Sequence, residues 1–259
     1  MVDIHCHILP GLDDGADTFD ESVAMAEMAI ADGITHVVGT PHSSEQYKFD
    51  ADLVGRRRAE LQEKIGSRLT LGSGCDFHLN FENLQDLAVN KTKYTINQKN
   101  YLLIELSDFS IPPNIEDTLH HLQLSGLAPI LTHPERNPWL QKHPERLRRW
   151  LHLGIYVQIT AQSILGKFGS TAQKLAEEWL EAEMVHFFAS DAHGTGRRPL
   201  KLSEAYRAVA AKAGEARAKA LFAENPLAVF EGRPLPYEPQ QPTVEANAPA
   251  PRRRRFSLF

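Results

Sequence analysis

The sequence predicts an α/β protein built as a barrel of parallel strands, and three observations carry that prediction. Short apolar segments alternate with longer stretches of helical periodicity from the first residue to residue 232, the rhythm of repeated β/α units. Six of these apolar segments run into His, Asp or Glu at their carboxyl ends, where β/α barrels build their sites. No self-similarity appears at a period of about 20 to 50 residues, which sets solenoids and propellers aside.

Strands are expected near 2–6, 34–39, 69–76, 101–106, 127–132, 155–159 and 185–190. The first helix runs from Thr18 to Asp32: Thr18 and Glu21 form a capping box, Val23, Met25, Met28, Ala29 and Ile30 supply the apolar face, and Gly33 stops it. Further helices are expected near 50–65, 115–125, 143–153, 171–183, 199–213 and 215–231. The last should break around Asn225-Pro226, because proline removes a donor and crowds the preceding turn. Six prolines lie between Pro234 and Pro251 and aliphatic residues are scarce there. The expected organisation is therefore one domain, 1–232, followed by a disordered Pro-rich and Arg-rich tail, 233–259. Arg252 to Arg255, with Phe256, Leu258 and Phe259, read as a solvated basic end; the alternative is contact with an acidic partner or the inner membrane surface.

With 259 residues, 42% hydrophobic and 24% charged, the composition is that of a globular chain with room for one sizeable core. Mean hydropathy is -0.34, and no apolar run approaches the roughly 20 residues of a spanning helix. The start, MVDIHCHILPGL, lacks the basic and apolar regions of a secretion signal, so a cytoplasmic protein is expected. Cys6 and Cys75 are too few for a disulfide framework, and neither belongs to a CxxC pair. Net charge is -5, with +3 on residues 233–259 and -8 on the body, which argues against nucleic-acid binding.

Twelve histidines is a high count for this length. His5 and His7 stand two apart at the end of the first strand, so both imidazoles face one side. The following strand ends carry His42, then Asp76 and His78, Glu105, His133, and finally Asp191 and His193; the loop Leu12-Asp13-Asp14-Gly15 adds another carboxylate. A lone buried histidine is usually a core residue with a satisfied ring. Six strand ends supplying ionisable groups to one face would be prohibitive to bury unless cations neutralised the carboxylates. These residues imply a metal site; nitrogen and oxygen donors without thiolates suit manganese, iron or zinc, and so many ligands imply more than one ion.

Together, HCH at 5–7, DDG at 13–15, TPH at 40–42, GCDF at 74–77, IELS at 104–107, THPER at 132–136 and SDAHGTGRRP at 190–199 resemble the PHP (polymerase and histidinol phosphatase) superfamily. Within it the chain is most similar to the bacterial tyrosine-protein phosphatases of capsule and exopolysaccharide synthesis. The resemblance implies a distorted (β/α)7 barrel holding three divalent ions, manganese first, with iron or zinc as alternatives. It assigns His5, His7 and Asp191 to one ion, with Asp76 bridging to a second that Glu105 and His133 also hold. Asp14, His42 and His193 would hold the third. Relatives usually carry glutamate where this chain has Asp76, one methylene shorter, and His78 either fills a ligand place or lines the pocket. Arg136 and Arg198 resemble the phosphate-gripping residues, with Pro199 deciding for Arg198 over Arg197.

The implied chemistry is hydrolysis of phosphotyrosine by a hydroxide held between two ions. The implied partner is a phosphotyrosyl protein, a bacterial tyrosine kinase of polysaccharide export. Alternatives on the same site are a phosphoesterase for histidinol phosphate or a nucleotide, and a non-catalytic metal-binding scaffold. A cysteine-dependent phosphatase needs arginine six residues after its cysteine; here Leu12 and Phe81 stand there. Asp50-Ala51-Asp52-Leu53-Val54 fits an aspartate-nucleophile pattern but follows EQYKF rather than an apolar strand, so it reads as carboxylates at a helix start. No GxxxxGK or HExxH is present.

Overall fold

The computed structural model describes residues 1–239. In chain order these residues form β1 (Val2–Cys6), α1 (Phe19–Ala31), β2 (His36–Gly39), β3 (His42–Ser43), α2 (Ala51–Ile65), β4 (Thr70–Ser73), β5 (Asp76–His78), α3 (Phe81–Val89), β6 (Tyr101–Glu105) and α4 (Ile115–Leu124). There follow β7 (Ala128–Thr132), α5 (Pro138–Lys142), α6 (Glu145–His152), β8 (Tyr156–Thr160), α7 (Ala161–Ile164), α8 (Ser170–Glu181), β9 (Phe187–Ala189), α9 (Ser203–Ala213), α10 (Glu215–Lys219) and α11 (Asn225–Glu231).

Every strand pairing is parallel, in the orders β1-β2-β4 and β3-β5-β6-β7-β8-β9. The two sheets are halves of one ring. β2 and β3 are a single strand position broken at Thr40-Pro41, where proline offers no donor to a ladder; β4 and β5 are likewise broken at Gly74-Cys75. The ring closes where β1 meets the segment after β9: Cys6 bridges Ala192, His7 N donates to Ala192 O (2.9 Å) and Asp191 N to His5 O (2.9 Å). Seven strand positions result, the expected distorted barrel.

Inside the ring, Val2, Ile4, Val38, Tyr101, Leu103, Ile130, Phe187 and Ala189 form one apolar cluster, which Ala228 and Val229 of α11 also join. A larger cluster packs the outer faces of the strands against the helices. Along β6, Tyr101 and Leu103 enter the inner cluster and Glu105 continues the same row, so strand alternation itself delivers Glu105 to the barrel mouth.

The helix start at Thr18 is as expected: its Oγ1 accepts from Glu21 N (3.2 Å). Asp50 caps α2 through Asp52 N and Leu53 N (both 3.0 Å), a structural use of the DADLV segment. Helices α3, α5 and α7 were not expected from periodicity; the last two span barely a turn each, too short for a 3.6-residue pattern to show. Asn225-Pro226 does not break the helix. Residues Ala220–Glu224 form a π turn leading into α11, with Pro226 in its first turn, and the wider turn relieves the clash a proline ring makes with the carbonyl four residues back.

The boundary expected at 232 lies later in the chain. Tyr237 N donates to Asn225 Oδ1 (3.1 Å), Asn225 Nδ2 donates to Tyr237 O (2.8 Å), Tyr101 Oη donates to Arg233 O (2.8 Å), and Leu235 is buried in the inner cluster. Asn225 of α11 and Tyr101 of β6 thus supply partners for the backbone of this segment. The basic run Arg252–Arg255 lies outside the described residues. Among the described residues no helix is long and apolar enough to cross a membrane.

Truncation after Gly232 is expected to cost about 3 kcal/mol relative to truncation after Pro239, from lost hydrogen bonds and the exposed Leu235. Urea unfolding measures it; coincident midpoints would remove residues 233–239 from the fold.

Candidate metal centre

The barrel mouth gathers all nine side chains expected to face it. His5 Nε2 lies 3.4 Å from Asp76 Oδ2, from Asp191 Oδ1 and from His7 Nε2, and His7 Nε2 lies 3.4 Å from Asp191 Oδ1. Donors bound at about 2.1 Å to one ion stand about 3.0 to 3.4 Å apart, so His5 Nε2, His7 Nε2 and Asp191 Oδ1, mutually 3.4 Å apart, have the spacing of a coordination shell, with Asp76 Oδ2 beside His5. His42 Nδ1 is 3.4 Å from Asp76 Oδ2 and 3.4 Å from Glu105 Oε2; His133 Nε2 stands 4.0 Å from Asp76 Oδ2 and 3.8 Å from Glu105 Oε1. On the outer side, Asp14 Oδ1 lies 3.4 Å from His42 Nε2 and 3.5 Å from His193 Nε2. Three overlapping groups of potential ligands result: His5, His7 and Asp76; His42, Asp76 and Glu105; His7, Asp14, His42 and His193.

The short Asp76 reaches both inner groups. Its carboxylate is fully buried, Oδ2 facing His5 and His42 while Oδ1 accepts from Thr132 Oγ1 (3.3 Å). His133, Asp191 and His78 fall outside the three groups: Asp191 meets His5 and His7, His133 lies 3.8 to 4.0 Å from Glu105 and Asp76, and His78 stands to one side with Nδ1 3.6 Å from Glu105 Oε2.

Asp76 Oδ2 and Asp191 Oδ1 are buried without any hydrogen-bond donor. Two orphaned carboxylate oxygens, each amid imidazole nitrogens at ligand spacing, fit divalent cations. The electrostatics agree. Burial opposes protonation of His5, yet Asp76 and Asp191 raise it to about 9. Burial likewise opposes protonation of His42, and the bonds from Asp14 and Glu105 outweigh it, raising it to about 11. Burial disfavours charge on Asp76 and Asp191, but His5, with Arg136 also acting on Asp191, holds both well below the carboxylate range. Without a metal, protons on these imidazoles would do the neutralising that a dication does with the charge of two of them.

Braces unforeseen in the sequence hold the donors. Asp13 turns away from Asp14 and binds His7 Nδ1 (2.6 Å), accepting also from His42 N (3.0 Å) and Gly15 N (3.0 Å). Gln158 Oε1 meets His5 Nδ1 at 2.9 Å. Such outer partners fix ring orientation and ligand basicity. A Cβ on Gly15 would lie 2.1 Å from His7 O, so only glycine lets the acidic loop pass this closely. His133 (φ 34°) and Asp191 (φ 51°) are held in left-handed backbone, strain of the kind found at functional sites.

Arg136 Nη1 and Arg198 Nη2 both donate to Asp191 Oδ2, whose other oxygen faces the histidines. The Phe168 ring, also unforeseen, lies 4.2 Å from the Arg136 guanidinium and 5.9 Å from that of Arg198. A planar aromatic face is a stable rest for guanidinium. Arg197 is exposed and turned into a neighbouring groove.

A family model described as capsular polysaccharide synthesis, CpsB/CapC, matches residues 1–231. The chain belongs to the CpsB/CapC family. This CpsB/CapC chain is 31% identical over 263 residues to the tyrosine-protein phosphatase YwqE of Bacillus subtilis, covering 100% of both chains. It is 28% identical to the tyrosine-protein phosphatase CpsB of Streptococcus pneumoniae over 89% of this chain and 98% of that one. A solved structure described as one of the "unique metal-dependent tyrosine phosphatases" YwqE and CpsB superposes with a TM-score of 0.85 and 32% identity, over 93% of this chain and 100% of that one. A β-aspartyl dipeptidase from Fervidobacterium islandicum shares the fold, with a TM-score of 0.54 and 15% identity over 89% of this chain and 72% of that one. The capsule-family resemblance read from the motifs is thus borne out.

Asp13→Asn is expected to weaken manganese binding by about tenfold to a hundredfold, read by competition with a chromophoric chelator; unchanged affinity would remove Asp13 as a brace. With metal removed, pH should act through His5 and His42. Both are neutral above about 6.5 in the unfolded chain but remain protonated in the fold. Their contribution is fully present below pH 6.5 and disappears as pH rises through the His5 value of about 9 toward that of His42. The urea midpoint of chelator-treated protein should therefore fall between pH 7 and 9; a flat or rising midpoint contradicts this.

Proposed function

We propose that this chain is a metal-dependent protein-tyrosine phosphatase that removes phosphate from a cytoplasmic phosphotyrosyl protein, a tyrosine kinase of capsular or exopolysaccharide synthesis. The observation that carries the reading is the convergence of Arg136 and Arg198 on Asp191, the carboxylate that also belongs to the histidine cluster. Supporting it are the relatives, named as tyrosine-protein phosphatases and matched over nearly their full length. Two buried free cysteines fit a reducing compartment.

In this reading His5, His7, Asp191 and Asp76 hold one ion, Asp76, Glu105 and His133 a second, and Asp14, His42 and His193 a third, with manganese the favoured metal and iron or zinc the alternatives. Divalent ions there supply an acidified water as nucleophile and neutralise charge on the phosphoryl group. The protein does the rest. Arg136 and Arg198 each offer a planar fork to phosphoryl oxygens, and Phe168 keeps their guanidinium groups at the mouth. Asp191 aligns the arginine pair with the ligand cluster, one oxygen to each. A phenolate leaving group, with a pKa of about 10, needs less proton donation than a serine alkoxide, which suits a mouth whose histidines and carboxylates are committed as ligands.

The shape of the mouth favours a polypeptide substrate over a small ester. Asp14 is half-exposed, and beside Glu105 and His78 a groove of about 470 Å³ opens along Ser44–Gln46 and Ser107–Phe109. Phe109 is almost fully exposed there, a ready contact for residues next to a phosphotyrosine.

The test is phosphate release by manganese-loaded protein from a phosphotyrosyl peptide, histidinol phosphate and a nucleotide monophosphate. Preference for the peptide is expected; preference for a small ester would overturn the substrate, and silence on all three the activity. His5→Ala and Asp191→Ala should abolish turnover with loss of bound metal. Arg136→Ala should retain metal and lose about 100-fold or more in kcat/KM. Full metal content and activity in Asp191→Ala would contradict the site.

A further inference from the structure

A second groove, of about 440 Å³, lies on the arginine side of the mouth. Lys167, Arg197, Lys201 and Arg207 line it; all four are exposed, and none has an ion-pair partner among the described residues. Two carboxylates share the lining. Asp32 is already engaged by Leu202 N (2.6 Å), Ser203 N (2.8 Å) and Ser203 Oγ (2.6 Å), and Glu204 is exposed.

This concentration of cations goes against the charge of the rest of the chain, whose residues 1–232 are strongly acidic. Four unpaired like charges along one groove repel one another, and an anionic occupant relieves that repulsion. Two of its lining residues are chain neighbours of the phosphate grip. Lys167 adjoins Phe168, which stacks on Arg136, and Arg197 adjoins Arg198.

We propose that this groove binds an acidic segment of the substrate polypeptide flanking its phosphotyrosine. The inference rests on the phosphotyrosyl-protein reading above. Four cations lining one groove offer contacts to more than one carboxylate. A nucleic acid fits less well: the lining holds no aromatic residue on which a base could stack, and the acidic body repels a long polyanion.

Three substrates test it: a phosphotyrosyl peptide with Asp and Glu flanks, the same peptide with Ser and Gln flanks, and para-nitrophenyl phosphate. Manganese-loaded protein should favour the acidic peptide by about tenfold in kcat/KM through KM, with the preference shrinking as salt rises. The Lys201→Glu/Arg207→Glu protein should lose the preference while hydrolysing para-nitrophenyl phosphate at the unaltered rate; Lys201→Gln/Arg207→Gln does the same service if charge reversal disturbs folding. Fluorescence anisotropy of the acidic peptide carrying a non-hydrolysable phosphonate reads the groove independently of turnover. Charge-dependent binding of that peptide without hydrolysis of any substrate would uphold the groove and sink the phosphatase reading. Equal kcat/KM for the two peptides overturns the groove and leaves the phosphatase standing. Tighter binding of a single-stranded oligonucleotide than of the acidic peptide, lost in the double variant, also overturns it.

Discussion

Asp76 and Asp191 are buried at the centre of the barrel mouth, each with one oxygen that meets no donor. A carboxyl in that position stays ionised only if positive charge surrounds it, and otherwise shifts toward its neutral form as buried Asp3 and Glu135 do; most of the mouth can be understood as supplying that charge. His5 and His7 stand against both or one of these oxygens at 3.4 Å, His42 reaches Asp76, and the two arginines take the outer oxygen of Asp191. The need for charge compensation is a need for cations, and it makes metal binding and folding of the mouth one problem.

The fold is arranged around this requirement. Closure of the ring by Cys6 and Ala192 sets His5 and His7 beside Asp191 although the chain separates them widely. The breaks at Thr40-Pro41 and Gly74-Cys75 start new strand segments at His42 and Asp76. Below the mouth the inner row is apolar, sealed by α11 and Leu235, so the charged layer rests on a rigid floor. His133 and Asp191, just past the ends of their ladders, take left-handed backbone at the mouth.

Much of this was legible in the sequence, for a physical reason. Strand alternation fixes which face a residue takes, so Glu105, in one row with Tyr101 and Leu103, could be placed at the mouth without coordinates, and His5 and His7 could be paired on one face; the register shift between Asp3 and Cys6 that brings that pair into the ring beside Val2 and Ile4, and the left-handed turn that brings in His133, could not. Residues whose role depends on a partner far away in the chain could not. Gln158 reads as one polar residue in an apolar strand, Asp13 is indistinguishable in type from Asp14, and Phe168 looks like a loop aromatic until Arg136 and Arg198 are seen against it. The strand expected over 69–76 proved to be two segments, and residues 233–239, expected with the tail, pack on the barrel because Asn225 and Tyr101 reach out to them. The ambiguity between Arg197 and Arg198 also needed three dimensions: Arg198 turns to Asp191 and Arg197 to the basic groove.

The most direct measurement is anomalous diffraction at the manganese edge from crystals of the manganese-loaded protein. The account predicts three peaks, one among His5, His7, Asp76 and Asp191, one among Asp76, Glu105 and His133, and one among Asp14, His42 and His193, each about 2.0 to 2.3 Å from its donors. A mouth without anomalous density, its carboxylates compensated by protonated histidines alone, would contradict it.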